Sequence, residues 1–492
     1  MSTLSRRAFL GALALGAAGC SSVVDNLAQP DLPDSLVLPG GAERHPIAHL
    51  LNRAAYGPRP GQIEEVERVG RPAWLEQQLN YERIKDGGLN LRLRRYDSLK
   101  MKPRDLLSFR DGDDKQYLRD ELAAMTLLRA VFSGRQLYEV MVGFWSDHFS
   151  VYHYKGDVAM LKTVDDRAVI RKHALGAFGD LLRASAHSPA MLVYLDNVLN
   201  EKSHPNENYA REIMELHTLG VDGGYTERDI QEVARCFTGW SVSGRGEFEF
   251  KKDWHDDGEK TVLGHTIPAG GGQADGDRVL DILLAHPSTP RFVCSKLARR
   301  LVADDPPENI VGACVTTWRE TGGDIRALLR TVFNHPEFDT APPKLKRPLE
   351  LLISLLRATG GQYDGDPGLI RRLDQMGQRP FAWPTPDGYA DTSVEWSGNM
   401  LGRWNLALDA FVGKLPGVTM EIGALAKAGA AGDDLDGWLR VFGRLLLQRD
   451  LPATDAAAIR RAMPETGSGA LDHDQQIELL GLLAASPAFQ WR

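Results

Sequence analysis

A chain of 492 residues with 43% hydrophobic content can bury a large core, and its length allows one big domain or two to three smaller ones. The formal net charge of −8, with no basic tail or cluster, argues against nucleic acid as a partner. Four cysteines, at positions 20, 236, 294 and 314, are too few and too scattered for a disulfide framework, and at most one bridge could form among the last three.

The first twenty residues read as an address. Ser5-Arg6-Arg7-Ala8-Phe9-Leu10 is followed by an apolar Ala/Gly/Leu run and by Ala17-Ala18-Gly19-Cys20, a pattern that marks an export signal too short to span a bilayer as a helix. The paired arginines resemble a twin-arginine signal, which carries proteins across the membrane already folded. The small residues before Cys20 resemble a lipoprotein cleavage box. The expectation is a mature chain that begins at a lipidated Cys20 and is held in the periplasm or at the outer membrane. Ala17 stands where leucine is commoner, and simple cleavage near Ala18 is the alternative. Loss of residues 1–19 removes Arg6 and Arg7 and no acid, which takes the net charge to −10. Folding before export would leave the thiols unpaired when the core forms.

Residues 20–45, rich in Ser, Asp, Pro and Gly from Ser21 to Gly41, read as a tether, with the folded body starting near Pro46. Apolar residues then recur at spacings of three and four over 46–56, 61–79, 115–132, 135–149 and 165–186. The same spacing returns over 208–219, 227–237, 276–285, 290–302, 309–320, 324–333, 346–358, 400–411, 434–447, 454–462 and 474–485. Phe248-Glu249-Phe250-Lys251 alternates like a strand, and Thr261-Val262-Leu263 follows, which predicts a short surface hairpin. Residues 377–399 form a long run mixing prolines and glycines with Phe381, Trp383, Tyr389 and Trp396, and long ordered loops are often functional. The predicted fold is therefore mainly α: a multi-helix globular array with a short β-hairpin insertion and a long Pro/aromatic loop. Residues 46–490 are expected to form a single large helical domain, or two lobes, 46–240 and 276–490, about a hairpin at 241–275.

The densest polar cluster runs from Asn206 to Gly220, with Asn206 able to cap a helix and Gly220 to end it. At 100° per residue Asn208, Arg211, Glu212, Glu215 and Thr218 fall within about 120° of arc, opposite Ala210, Ile213, Met214 and His217. Glu212 and Glu215 beside Arg211 could supply acid/base chemistry, since repulsion would raise one carboxyl while the arginine holds the other low. A solvated face of helix ion pairs is the competing reading. His217 and His148 both lie on apolar sides of their helices; each alone reads as a buried core histidine, and with His255 and Asp256 they are the residue types of a divalent-metal site. Asp196, Asn197 and Asn200 offer oxygen ligands without calcium-loop spacing, and read as turn and cap chemistry. Trp383 and Tyr389 suit a platform for sugar rings or a lid packed on the core. Ser188 lies close to His187, but no Gly-x-Ser-x-Gly elbow and no Gly-rich phosphate loop is present.

The run Pro205-Asn206-Glu207-Asn208-Tyr209-Ala210-Arg211-Glu212-Ile213-Met214-Glu215-Leu216-His217-Thr218-Leu219-Gly220-Val221 closely resembles the signature of the bacterial domain-of-unknown-function 1800 family. Phe144-Trp145-Ser146-Asp147-His148-Phe149, Tyr194-Leu195-Asp196-Asn197, His255-Asp256-Asp257-Gly258-Glu259-Lys260 and Trp383-Pro384-Thr385-Pro386-Asp387-Gly388-Tyr389 extend the resemblance to roughly residues 46–490. It implies an exported, mainly helical protein, and a partner from a second exported family, resembling alkaline phosphatases and sulfatases, whose genes often lie next to those of the first. It implies no activity.

The enzymatic expectation is a cleft between the helices at 135–149 and 208–219, closed by the two irregular segments, that hydrolyses or modifies a glycan or other polymer. Glu212 and Glu215, with His255, would supply the catalysis. Asn206, Asn208, Arg211, Trp383 and Tyr389 would bind substrate, and His148, His217, His255 and Asp256 would hold a metal. Two other classes stand beside it: a lipid-anchored binding or assembly protein with the polar cluster as internal scaffolding, and a metallocofactor or redox protein loaded before export.

Overall fold

The computed structural model describes residues 32–463 and 469–492, so the expected export signal, Cys20 and the start of the expected tether lie outside the described residues. Within them the fold is mainly α, with three two-stranded antiparallel sheets. The helices that carry the core and the site are α1 (Pro46–Ala54), α2 (Gly112–Phe132), α3 (Gln136–His148), α4 (Val158–Asp165), α5 (Phe178–Ala186), α6 (Pro189–Tyr194), α7 (Glu207–Glu215) and α8 (Glu227–Cys236). In the second half they are α9 (Ala274–Ala285), α10 (Ser288–Leu301), α11 (Glu308–Thr321), α12 (Pro348–Ala358), α13 (Met400–Phe411), α14 (Leu435–Leu447), α15 (Ala453–Ala462) and α16 (His473–Ala485).

Local chemistry explains the boundaries. Asp111 accepts from the Asp114 amide at 2.8 Å to start α2, and Thr226 with Asp229 forms a reciprocal capping box on α8. In α8 the apolar set Ile230, Val233 and Ala234 is buried while Glu227 and Arg228 face water, so the 3.6 period writes the burial directly. Helices pack as sequence neighbours, α7 on α8 and α10 on α11, and over longer range, α13 on α16. One apolar cluster runs from Ala48 to Phe489, so both halves of the chain share it. The thiols Cys236, Cys294 and Cys314 are free and buried, Cys294 beside Cys314 across the α10–α11 pair.

Two expectations change. The helix expected over 165–186 is interrupted: α4 passes through a π-type turn at Asp166–Ile170, and α5 starts afresh after Gly176. The single hairpin is two hairpins. β1 (Trp240–Val242) pairs with β2 (Phe248–Phe250), and β3 (Lys260–Val262) pairs with β4 (His265–Ile267) across Leu263-Gly264, both at positive φ as a tight primed turn requires. Gly276 at the start of α9 is fixed by contact: a Cβ there would lie 2.3 Å from the Trp240 ring.

Charged groups also run through the interior. Glu350 on α12 accepts from Arg300 on α10 at 2.5 Å and pairs with Arg492 at 3.0 Å and Arg347 at 3.6 Å. Arg347 also bonds Asp147 of α3 at 2.8 Å, and Arg300 bonds Asp391 at 3.1 Å. Burial alone would raise the Glu350 carboxyl, but the attraction of Arg300, Arg492 and Arg347 exceeds it and holds the group well below its ordinary 4.5. The stabilisation is thus present above pH 4.5 and is lost as the pH falls from there toward the folded-state value. Glu350→Gln leaves buried arginines without their shared anion and is expected to cost about 3–5 kcal/mol in chemical denaturation at pH 7. The deficit should narrow as the pH is lowered below 4.5; a loss under about 1 kcal/mol would show that the network contributes little.

Candidate functional site

Helix α7 is built to present one polar face. The Asn206 side chain accepts from the Asn208 amide at 3.0 Å, and Asn200 accepts from the Asn206 amide at 2.9 Å while donating to the Ala234 carbonyl of α8. Asn197 donates to the Trp240 carbonyl at 2.9 Å. These asparagines therefore fix where α7 starts, the turn and cap role their sequence suggested. Tyr209, Ala210, Ile213 and Met214 are buried beneath the helix, leaving Asn208, Arg211, Glu212 and Glu215 on its outer side. The helix ends at Glu215, short of the expected Leu219, and the chain turns inward through His217 to Gly220 at φ 82.

The Pro/aromatic loop lies against this face. Gly388 sits at φ 73, and a Cβ there would lie 2.1 Å from the Asp147 carbonyl oxygen, so the loop rests directly on the backbone of the last turn of α3. Tyr194 donates to the Pro384 carbonyl at 2.8 Å, and Tyr389 to the Arg379 carbonyl at 2.7 Å. Trp383, Tyr389 and Trp396 pack together with Leu345, and Asp391 ties the loop to Arg300. Asp387 accepts from the Trp383 indole at 2.9 Å and the Thr385 hydroxyl at 2.5 Å.

Asp387 lies close enough to act, as a lesser contributor, on Glu212, Tyr194 and Lys296. Burial first, and then the charges of Glu215 and Asp387, push the Glu212 carboxyl up to about 7 against the pull of Arg211. Among the described residues the Glu212 carboxylate accepts no hydrogen bond, because Arg211 is engaged elsewhere, with Glu227 at 2.9 and 2.7 Å and Glu215 at 3.3 Å. Lys296 on α10 is pushed the other way: burial lowers its ammonium to about 8 although Asp391, Asp147 and Asp387 all favour the charge. Burial raises the Asp147 carboxyl against the opposing pull of Arg347. Lys155 donates to the Tyr194 carbonyl at 2.6 Å and to Asp196 at 2.7 Å, and Asn208 reaches Asp196 at 3.5 Å. A cavity of about 50 Å³ behind the loop, lined by Ser146, Asp147, Arg347 and Trp383, has room for water and none for a substrate.

The structure thus brings together Glu212, Glu215, Arg211, Asn208 and Trp383, with Asn206 acting as the cap. Tyr389 is buried and holds the loop instead of offering a platform. The four expected metal residues are not assembled. Among the described residues no group of three or more His, Cys, Asp or Glu side chains could hold a metal ion. His148 and His217 are core residues: the His148 Nε2 lies 3.1 Å from the His217 carbonyl, and burial lowers the His217 ring to about 3 and His148 in the same direction. His255 is sealed away in a separate contact, its Nδ1 2.8 Å from the Thr238 carbonyl and its Nε2 3.3 Å from Asp275, which also accepts from Lys260 at 2.7 Å. His255, Asp275 and Lys260 are each 1% exposed or less, so His255 cannot meet a substrate. Asp256 binds Arg235 at 2.7 Å and caps the Gly258 amide, which locks β3 to α8. Sequence reasoning missed Lys296 altogether, and passed over Asp387, Asp147 and Tyr194 inside motifs it had quoted.

The chain matches a family model described as a protein of unknown function, DUF1800, over residues 49–491, a span that contains every residue of the seam. The protein belongs to that family. No curated protein and no solved structure gives a significant match.

Because the folded-state value of Glu212 is raised, its contribution to stability is greatest below the ordinary 4.5 and is lost as the pH rises through about 7. Glu212→Gln should therefore match the wild-type Tm at pH 4 and exceed it increasingly between pH 5 and 8. A Tm difference that does not change with pH would place Glu212 in an unperturbed environment.

Proposed function

We propose that the seam between α7 and the Pro/aromatic loop is the active site of an acid/base enzyme of the cell envelope, a hydrolase or modifying enzyme acting on a glycan or other polymer. The observation that carries this reading is a half-buried carboxyl, Glu212, poised near neutrality and free of any arginine bond of its own, under the influence of Asp387, which also acts on a lysine of lowered basicity, Lys296. Environments that push neighbouring titratable groups toward neutrality from opposite sides are a mark of functional sites.

In this scheme Glu212, about half protonated at pH 7, gives its proton to a leaving oxygen or takes one from an attacking hydroxyl. Asp387, fixed by two donors, is the second carboxylate that glycoside chemistry requires. Glu215 is paired with Arg211, so the role of second catalytic acid passes from it to Asp387. Trp383 offers a ring edge at the rim, and Asn208 and Lys155 offer donors for hydroxyl groups. Export by the twin-arginine route, anchoring through a lipid on Cys20 and a second exported protein of phosphatase or sulfatase likeness as partner belong to the same proposal; residues 5–20 and the family resemblance are what support them.

The non-catalytic alternative draws on the saturated pairs Arg211–Glu227 and Arg235–Asp256, which are what a scaffold would contain. Incubating the purified protein with envelope polysaccharides and following released fragments by mass spectrometry separates the two readings. Glu212→Gln and Asp387→Asn are expected to lower release at least about 100-fold with Tm retained, and Glu215→Gln less than about tenfold. Full release by Glu212→Gln would overturn the assignment, and polymer binding without release by the wild type would favour the scaffold.

A further inference from the structure

Helix α1, the end of α14 and residues 487–492 line an open cavity of about 790 Å³ whose charged wall is mostly cationic: Arg44, Lys346, Arg449 and Arg492. Its acids are few. Asp455 lines it and accepts from the Ala488 amide, and Glu350 stands behind it, shared among three arginines. The cations are under-satisfied. Lys346 is 4% exposed, its amide donates to the Gln490 carbonyl at 2.8 Å, and its Nζ stands 3.5 Å over the Phe489 ring with no side-chain hydrogen bond among the described residues. Arg44 uses one terminal nitrogen on the carbonyls of Asp339 and Ala341 and leaves the other buried without a partner, and the Arg492 Nε is unpartnered as well. Burial and the nearby Arg492 hold the Lys346 ammonium well below its ordinary range against the opposing pull of Glu350. Leaving such groups unmatched is costly, and an anion seated among them removes that cost.

The cavity does not end at its basic wall. It meets a second space of about 790 Å³, an apolar groove between α13, α15 and α16, at Asp455, Pro487 and Trp491, which line both; the Asp455 carboxylate accepts from the Ala488 amide there. Trp404, Leu408, Ile459 and Leu482 line the groove, and at its mouth Val394 is 80%, Trp404 45% and Trp491 43% exposed. An exposed apolar strip of this kind marks a binding surface. Each space falls within the usual size of small-molecule sites. A cationic pocket adjoining an apolar groove has the chemistry to take an anionic head followed by a hydrocarbon chain.

We infer that the two spaces form one site for a single-chain anionic amphiphile, a fatty carboxylate or a lysophospholipid, whose head sits among Arg44, Lys346, Arg449 and Arg492 and whose chain lies along the groove past Trp491. The inference does not rest on the Glu212 reading, although Ser393 and Val394 of the Pro/aromatic loop line the groove. Charge complementarity selects this occupant over a second copy of the chain, since the walls of the pocket are themselves cationic.

Trp491 and Trp404 provide the readout. Titration of the purified full-length protein, monitored by tryptophan fluorescence and calorimetry, would use palmitate, palmitoyl-lysophosphatidylglycerol and hexadecyltrimethylammonium. Saturable one-to-one binding of either anionic probe, at least about 30-fold tighter than the cationic one, is expected; which of the two binds tighter tells carboxylate from phosphate. Shortening the fatty carboxylate should weaken binding about three- to fourfold per methylene removed. Arg449→Glu should weaken palmitate at least tenfold and Trp404→Asp should abolish the chain-length dependence, each with Glu212-dependent properties unchanged. Equal affinity for the cationic amphiphile, binding only to intact anionic vesicles, or self-association abolished by Trp404→Asp without any amphiphile binding would each overturn the inference.

Discussion

The buried carboxylate of Glu350, shared by Arg300, Arg347 and Arg492, fixes the geometry on which the rest of this protein depends. Helix α12 brings Glu350 to the centre, α10 brings Arg300, and the C-terminal residue closes the group from the far end of the chain. The same arginines reach outward to Asp147 and Asp391. An ion network of this kind is weak evidence for stability as such, because desolvation opposes the attraction. Its effect is positional: each arginine finds its anions only when α3, α10, α12 and the aromatic loop hold one arrangement.

The chemistry of the seam follows from that arrangement. With Asp391 bonded to Arg300 and Gly388 pressed against Asp147, the intervening segment has little freedom, and Asp387 is carried to the polar face of α7. There it meets Glu212, whose helix neighbour Arg211 is drawn away to Glu227. Neither group would be unusual alone. Burial and negative neighbours together move Glu212 toward neutrality, and one of those neighbours, Asp387, also acts on Lys296. The amphiphile site draws on the network too, since Arg492 serves both.

What the sequence made legible was whatever depends on local period and local caps. The polar and apolar faces of α7, the Asn206 cap and the inward placement of His148 and His217 all follow from spacing of 3.6 residues. Partners set by long-range packing were not legible. His217 and His148 look like ligands by type, yet they pack on Phe149, Phe178 and each other; His255 looks available on a turn, yet Asp275 from α9 seals it. Phe248–Phe250 pairs backward with β1 and not forward, a choice that alternation alone cannot register. Lys296 in a helix reads as an ordinary solvated cation, because the acids that give it meaning, Asp147, Asp387 and Asp391, come from distant parts of the chain.

If the ion network positions Asp387, the acidity of Glu212 must respond when the loop is released. Carbon-13 carboxyl titration of Glu212 by NMR, in the native protein and in a folded Asp391→Asn variant, measures this directly. A midpoint near 7 in the native protein that moves toward the ordinary 4.5 in the variant is the expected result. A native midpoint already near 4.5, or one unmoved by the substitution, would contradict it.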